Sequence, residues 1–549
     1  MASNHAMQTE VAPQLTQGIV QAPAGDLARG PSYKFADAGR SAAAVPRNIA
    51  WSYVSWVLSI IAPLVLIPFY VRFLGARLYG EWLVILSLTS YLALANLGMG
   101  QTVGNRIAEA IARGRSGEVG RLVSTAFFTY AAIAVLLIGL IVAATPLFAH
   151  RFLPGAGGMA APAFAVYVVL SALAFPTKVH QMALRSFERV DREQAINAGA
   201  IAGRIVLVIT VLVAGFKLVA IATINGGSML AAGAAAYIIA IRLKPEARPR
   251  TREFSPSLLR AMLKPSAAFL ALQIGVTLIV GLDNLVIGYA MDGAAVTRYA
   301  VPFRLIWMAA GPFAVAIAAL TPTVTVNYAR DRKPLLADGL MLSSRLALMY
   351  AACGTILLWL AGPAFISVWA GQDVFPGMPT YAMEVAFFFI IVLMSAPSTI
   401  LFATTRHYLW AALTIFEGLL NLGLSLWWVH TWGLAGVIAG TVVASLLTNA
   451  WYIPAAAFHT VDIPLGWMGR KLWPTAALAM VAVSVSVAVS MFTSSLALST
   501  ALPLAAVLAL IFALAFGWLC FSAEERQIAR TWLMATLKTR WTDDLSHAG

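Results

Sequence analysis

The sequence predicts an all-α polytopic membrane protein with about fourteen transmembrane helices, and composition is the first reason. Of its 549 residues, 60% are hydrophobic and only 11% are charged, whereas a soluble domain has about 25% charged residues. Many apolar stretches also reach the roughly 20 residues that a helix needs to cross a bilayer. Basic residues, finally, concentrate in every second connecting segment. These observations exclude an ordinary soluble enzyme, and they exclude a disordered or nucleic-acid-binding chain despite the net charge of +14.

Stretches without Asp, Glu, Lys or Arg define most of the predicted spans. There are 24 such residues between Arg47 and Arg72. Two longer uncharged stretches, 418–461 and 472–523, each hold two spans. The predicted spans lie near 48–71, 80–104, 122–148, 159–178, 196–216, 219–241, 266–290, 299–325, 345–368, 380–403, 409–429, 433–456, 474–494 and 500–521.

The distribution of Lys and Arg predicts the orientation. With the N-terminus placed in the cytoplasm, 30 of the 37 basic residues fall in inner segments and 5 in outer ones. The other two, Arg204 and Arg304, lie within spans. Inner loops carry the excess of basic residues in membrane proteins, so both termini are predicted to be cytoplasmic. The basic surplus is thus a topology signal and an affinity for anionic membrane lipids.

Weak internal similarity divides the first twelve spans into two sets of six. Tyr79 and Tyr299 follow similar turns 220 positions apart, and Leu218 and Leu434 begin similar stretches 216 apart. Transporters often contain such repeats around a central site. The predicted organisation is a disordered cytoplasmic tail (1–47), an N-lobe of spans one to six (48–241), a basic cytoplasmic linker (242–266), a C-lobe of spans seven to twelve (267–457), the two extra spans (458–521) and an amphipathic cytoplasmic tail (522–549).

Several short motifs resemble those of a known family. They are Pro68, Arg72, Leu74-Gly75, Tyr79-Gly80, Leu97-Gly98-Met99-Gly100, Arg106 at the start of an amphipathic inner loop, Asp283-Asn284, and the stretch from Tyr299 to Arg304. Over roughly 48–460 the chain is similar to polysaccharide (O-antigen type) flippases. Their superfamily, the multidrug/oligosaccharidyl-lipid/polysaccharide exporters, also contains multidrug and toxin extrusion transporters and lipid II flippases.

The resemblance implies a function and a location. Such a flippase moves a polyprenyl-pyrophosphate-linked oligosaccharide from the cytoplasmic to the outer leaflet of the bacterial inner membrane, beside polysaccharide polymerase and export machinery. One departure concerns Asn96, which stands where these flippases often have Asp. A role that needs a carboxylate at this position is therefore not carried over to this chain.

Ionisable side chains within the spans are the main functional candidates, because a charge in a bilayer is costly. Asp283 and Arg304 lie at similar depths below the outer surface, roughly 10 and 8 Å at a rise of 1.5 Å per residue. They form either a structural ion pair or a gate in which protonation of Asp283 frees Arg304 for substrate. Arg204 and Glu417 have matching depths from the inner side. They either meet across the cavity when its inner mouth closes or pair locally.

Arginine is the side chain best suited to a pyrophosphate, because it stays charged and binds phosphate oxygens in pairs. The candidates are Arg72, Arg204, Arg304 and Trp307 for binding in the cavity, and Arg106 and Lys178 for first capture at the inner mouth. Helix packing is the other interpretation of Trp307. Positive-inside anchoring is the other interpretation of the two inner-mouth residues.

The sequence contains no motif for catalysis or cofactor binding. It has no Gly-Lys dipeptide and no His-Glu-x-x-His, so neither a nucleotide-binding loop nor a zinc site is expected, and no cofactor is predicted. Two alternatives to a flippase stay open. A cation-coupled multidrug exporter of the same superfamily would need a carboxylate-lined cavity. A membrane enzyme of polysaccharide assembly would need a large hydrophilic outer loop, and the longest predicted outer loop has only about ten residues.

Overall fold

The computed structural model describes residues 35–96, 98–152, 159–404, 407–493, 496–523 and 525–526, and these ranges are helical apart from short turns. Their helices are α1 (Phe35–Ser90), α2 (Met99–Ala112), α3 (Ser116–Phe152), α4 (Ala160–Ala174), α5 (Lys178–Ser186), α6 (Val190–Val213), α7 (Leu218–Leu243), α8 (Pro256–Ala290), α9 (Gly293–Ala318), α10 (Thr321–Ala329), α11 (Lys333–Trp369), α12 (Met378–Ala403), α13 (His407–Trp432), α14 (Leu434–Leu447), α15 (Asn449–Thr460), α16 (Leu465–Thr493) and α17 (Leu498–Leu519).

Thirteen helical stretches of the described chain are long and apolar enough to cross a membrane. The first, Ala50–Asn96, has 47 residues, about twice the length of one span. Its helix α1 is divided at Gly75, whose φ of 77° and ψ of 162° are not helical. Glycine accepts this conformation because it has no Cβ. Counting the segments on both sides of Gly75 gives fourteen crossings, which confirms the predicted all-α membrane architecture.

Some helix boundaries differ from the predicted segments. Helix α1 begins at Phe35, inside the segment predicted to be a disordered tail, and residues 1–34 lie outside the described ranges. Helix α8 begins at Pro256, so its first turns occupy part of the predicted linker 242–266. Most of the predicted amphipathic tail, 527–549, also lies outside the described ranges.

Several crossings are interrupted, among them the second and the twelfth. The second contains a 3-10 turn, Tyr91–Asn96, before the chain continues as α2. The twelfth is divided between α14 and α15 at Thr448, whose φ of −127° and ψ of −95° are not helical. Broken helices in transporters place backbone polar groups inside the protein rather than against lipid.

The helices form two groups that meet along a seam. Helices α1–α7 pack mainly on one another, and α8–α17 do the same. The seam joins α1, α2 and α3 to α8, and α1 to α9. We call residues 48–243 the N-terminal half and residues 256–519 the C-terminal half. Helices α16 and α17 pack on α11 of the C-terminal half.

At its outer end, as assigned from the Lys and Arg distribution, the seam is closed by backbone contact. A Cβ added to Gly80 would lie 1.6 Å from the carbonyl oxygen of Gly293. Only glycine allows two helices to approach so closely. The Thr297 hydroxyl donates a hydrogen bond to the Ala76 carbonyl oxygen at 2.6 Å. Both contacts join α1 to α9 and hold the two halves together.

Candidate functional site: a cationic cavity at the seam

A cavity of about 400 Å³ lies between α1, α4, α6 and α7 of the N-terminal half and α9 of the C-terminal half. This volume is within the range of small-molecule binding sites. Its polar and aromatic lining residues are Ser59, Tyr70, Tyr79, Trp82, Tyr167, Arg204, Asn225 and Arg304. Among the described residues that line it, none is Asp or Glu.

Arg204 and Arg304 supply the charge of the cavity, one from each half of the protein. Within the described ranges neither guanidinium forms an ion pair. The Nε atom of Arg204 is buried and has no hydrogen-bond partner. A guanidinium presents five N–H donors in a planar fork that matches phosphate and carboxylate oxygens. The cavity therefore has the charge and the donors to bind an anion.

Aromatic side chains stiffen the cavity wall. The rings of Tyr70 and Tyr79 are stacked with centroids 5.1 Å apart, and Trp82 meets Tyr167 edge-on at 5.3 Å. Each such pair contributes about 0.5–1.5 kcal/mol beyond the burial of its area. Rings with hydroxyl groups present both an apolar face and a hydrogen-bonding edge, which suits a ligand as rich in hydroxyls as a sugar.

Asp283 lies outside this cavity, in a buried network of the C-terminal half. Its carboxylate accepts hydrogen bonds from the Tyr299 hydroxyl at 2.5 Å, from Asn421 Nδ2 at 3.2 Å and from the Thr441 hydroxyl at 3.2 Å. The ion pair considered between Asp283 and Arg304 is therefore not formed. The reason is helical geometry: Tyr299 and Arg304 are five residues apart, so they project about 140° apart around α9.

Glu417 stabilises the interruption of the twelfth crossing. It accepts hydrogen bonds from the Thr448 hydroxyl at 2.7 Å and from Asn449 Nδ2 at 2.5 Å, both next to the break. A carboxylate at the start of α15 also interacts favourably with the helix dipole. Glu417 thus pairs locally within the C-terminal half and does not meet Arg204 in this state.

Glu384 of α12 is a buried acid that was not among the candidates predicted from the sequence. It is 0% exposed, and neither carboxyl oxygen has a hydrogen-bond partner. The signal in the sequence was one Glu in an otherwise apolar helix, Met378–Ala403. Burying a carboxylate without donors is strongly unfavourable. The chemistry open to Glu384 is therefore to hold and release a proton.

Two of the predicted cavity residues do not line the cavity. Arg72 is exposed, with its guanidinium carbon 5.8 Å from the ring centroid of Phe73. It follows the cavity-lining Tyr70 by two residues and so projects about 200° away around the helix. Trp307 is exposed and meets Phe303, one turn earlier on the same helix α9, edge-on at 6.4 Å.

The structure gives each of the two inner-mouth candidates a contact within the protein. Arg106 Nη2 donates to the Ala261 carbonyl oxygen at 3.1 Å, across the seam between α2 and α8. The Lys178 ammonium lies 4.7 Å from the ring centroid of Phe175.

Throughout the described ranges, no three His, Cys, Asp or Glu side chains are grouped as metal ligands.

A family model described as "Polysaccharide biosynthesis protein" matches residues 45–327, just over half of the chain. No curated protein matches the sequence.

Solved structures of membrane transporters share the fold. The lipid II flippase MurJ in an inward closed conformation has a TM-score of 0.65 and 14% identity over 85% of this chain and 98% of its own. An inward-facing multidrug resistance MATE transporter has a TM-score of 0.54 and 19% identity over 74% of this chain and 94% of its own. A Pyrococcus furiosus transporter of the MOP superfamily has a TM-score of 0.51 and 18% identity over 76% of this chain and 94% of its own.

Proposed function

The chain belongs to the polysaccharide biosynthesis protein family of multi-pass MOP-superfamily transporters, and from that premise we propose that it is an alternating-access flippase. Its substrate is a polyprenyl-pyrophosphate-linked oligosaccharide, the repeat unit of a surface or exopolysaccharide. It moves this unit from the cytoplasmic to the outer leaflet of the bacterial inner membrane, where a polymerase and export machinery act on it.

The observation that carries this proposal is that the cavity contains two guanidinium groups and that neither forms an ion pair. A pyrophosphate pays a large desolvation penalty in lipid, because moving an ion into a low-dielectric medium costs several kcal/mol or more. Arg204 and Arg304 replace part of its hydration with charge-assisted hydrogen bonds. They line one cavity from opposite halves, so we propose that a bound pyrophosphate contacts both.

The size of the cavity limits what enters it. About 400 Å³ suits a headgroup rather than a long prenyl chain, so the chain stays in the lipid while the phosphorylated sugar passes through the protein. The outer end of the seam is closed in this state, and at the inner end α2 and α3 contact α8. Entry of the headgroup from the inner side therefore requires these inner contacts to separate. Arg106 and Lys178 are the residues that we propose capture it there.

The same cavity argues against a cation-coupled multidrug exporter. Cationic substrates favour carboxylates, and the described lining residues include none.

The carboxylates of Asp283 and Glu417, the two coupling candidates, already accept hydrogen bonds from neighbouring side chains. We therefore assign the proton-carrying step of the cycle to Glu384, whose carboxyl group is buried and has no hydrogen-bond partner.

The variant Glu384→Gln tests this assignment. An uncharged side chain of the same shape suits the burial of Glu384, so the variant is expected to fold and to bind substrate. Because it cannot release a proton, flipping in proteoliposomes should no longer respond to an imposed pH gradient. Glu384→Asp, which keeps a titratable group, is the control and should retain a response. An undiminished response in Glu384→Gln would remove Glu384 from the coupling step.

Deletion of the gene tests the function itself. Loss of surface polysaccharide, with lipid-linked repeat units trapped on the inner leaflet, is the expected result. It is measured by staining the polysaccharide and by probing the trapped lipid in vesicles of both orientations. Intact polysaccharide together with drug hypersensitivity would instead establish the exporter.

A further inference from the structure

One hydrogen bond across the seam joins the end of α11 to the middle of α1. The indole Nε1–H of Trp369, in the C-terminal half, donates to the Leu64 carbonyl oxygen, in the N-terminal half, at 2.7 Å. In a regular α-helix each carbonyl oxygen accepts the N–H of the residue four positions later. The Leu64 carbonyl oxygen instead accepts from a side chain of the other half.

The sequence explains why this carbonyl is available. The residue four positions after Leu64 is Pro68, and proline has no backbone N–H to donate. An unsatisfied carbonyl in a membrane helix costs free energy because no water is present to hydrate it. Trp369 supplies the missing donor, and an indole N–H can act only as a donor. A proline in one half is thus complemented by a tryptophan in the other.

The position of this bond connects it to the cavity. The residues on either side of Leu64, which include Pro63, Leu66 and Ile67, line the cavity. The bond therefore fixes the cavity-forming stretch of α1 to the C-terminal half. It acts together with the closed outer end of the seam, and separation of the two halves there would break it.

We propose that Trp369 and the Leu64 carbonyl form a latch that stabilises the state in which the cavity is closed to the outside. Trp369 is then a positioning residue for alternating access, and this inference rests on the proposed transport function. Opening to the outside requires this hydrogen bond to break. The Leu64 carbonyl oxygen, which Pro68 cannot satisfy, is then left without a donor.

The test measures access to the cavity, not transport. In a protein with Cys353 and Cys520 replaced by serine, the cavity-lining residue Ala300 is changed to cysteine. It is labelled with a membrane-impermeant maleimide in right-side-out vesicles. Trp369→Phe keeps the ring and removes the donor. It is expected to raise the outside labelling rate about two- to tenfold, the effect of one net hydrogen bond.

A matched control lies on the same helix. Trp359 donates its Nε1–H to the Ser490 hydroxyl at 3.0 Å, within the C-terminal half. Trp359→Phe therefore removes an equivalent bond away from the seam, and it should leave the labelling rate unchanged. An equal rise in Trp359→Phe would show a general effect of tryptophan loss and would overturn the latch.

The variant Pro68→Ala tests the same hydrogen bond from its acceptor side, in the N-terminal half. Alanine restores the N–H that α1 lacks, so the Leu64 carbonyl has a donor within its own helix. In this background, Trp369→Phe should change labelling by less than about twofold. Two results would refute the proposal. One is a two- to tenfold rise in the labelling rate when Trp369→Phe is added to Pro68→Ala, and the other is no rise when Trp369→Phe is made in the parent protein.

These outcomes are separate from those of the proposed function. Labelling needs no substrate. If labelling changes as expected but the protein does not flip a lipid-linked sugar, the latch is supported and the proposed function is refuted. If the protein flips the lipid-linked sugar but Trp369→Phe does not change the labelling rate, the proposed function is supported and the latch is refuted.

Discussion

Replacing Arg204 or Arg304 with alanine is expected to lower the rate of flipping about 10- to 150-fold, and replacing both should abolish it. Hydrogen bonds to charged groups are worth about 1.5–3 kcal/mol, and every 1.4 kcal/mol is a factor of about ten. The measurement is transfer of a fluorescent polyprenyl-pyrophosphate-linked sugar between leaflets of proteoliposomes. Lysine at either position should restore part of the rate, since it keeps the charge but not the planar fork.

Arg72 provides the matched control for these variants. It is an arginine near the cavity that does not line it, so Arg72→Ala should flip at close to the wild-type rate. Neither cavity arginine forms an ion pair in the described ranges, so their removal strands no carboxylate and expression should persist. Wild-type flipping in both Arg204→Ala and Arg304→Ala would remove the guanidinium pair from the mechanism.

Replacing Gly80 with alanine is expected to prevent closure of the outer end of the seam. The added Cβ would lie 1.6 Å from the Gly293 carbonyl oxygen, so the helices must separate by about 2 Å to regain van der Waals contact. Backbone cannot move aside as a side chain can. The variant should therefore stay open to the outside and lose flipping, which is measured by the rate of outside labelling at Ala300→Cys together with the transport assay.

Two further glycines make this prediction specific. Gly293→Ala would place its Cβ 2.3 Å from the Arg77 carbonyl oxygen, so it should reproduce the defect from the other helix. Gly311, on the same helix α9, has no atom within 4 Å of an added Cβ. Gly311→Ala should be silent. A closed seam and normal transport in Gly80→Ala would show that this contact is not needed.

Much of the fold could be predicted because hydropathy and charge are local properties. Most of the fourteen crossings follow from uncharged stretches that match the bilayer thickness, and the turn at Gly75 follows from glycine's freedom at positive φ. The interruption of the twelfth crossing at Thr448 could not be predicted in this way, because the break is stabilised by Glu417 from another helix.

The sequence also identified the charges of the site better than their partners. Arg204 and Arg304 were predicted for the cavity, and they line it. Depth along the helix is set by residue number, so it could be predicted, whereas the direction around the helix depends on packing. That is why Arg72 was placed in the cavity, Asp283 was considered as a partner of Arg304, and Glu384 was missed.

By itself, the sequence determined that this chain is an all-α membrane protein, because long apolar stretches cross lipid as helices whose backbone groups pair internally. It also determined that basic and acidic side chains lie within the spans. Only the tertiary structure decided which of these charges share a cavity and which accept hydrogen bonds from neighbours such as Tyr299. It also decided that Trp369 donates to the carbonyl oxygen that Pro68 leaves without a donor. These pairings join residues up to 305 positions apart. They are set by the packing of helices against one another, which no local pattern encodes.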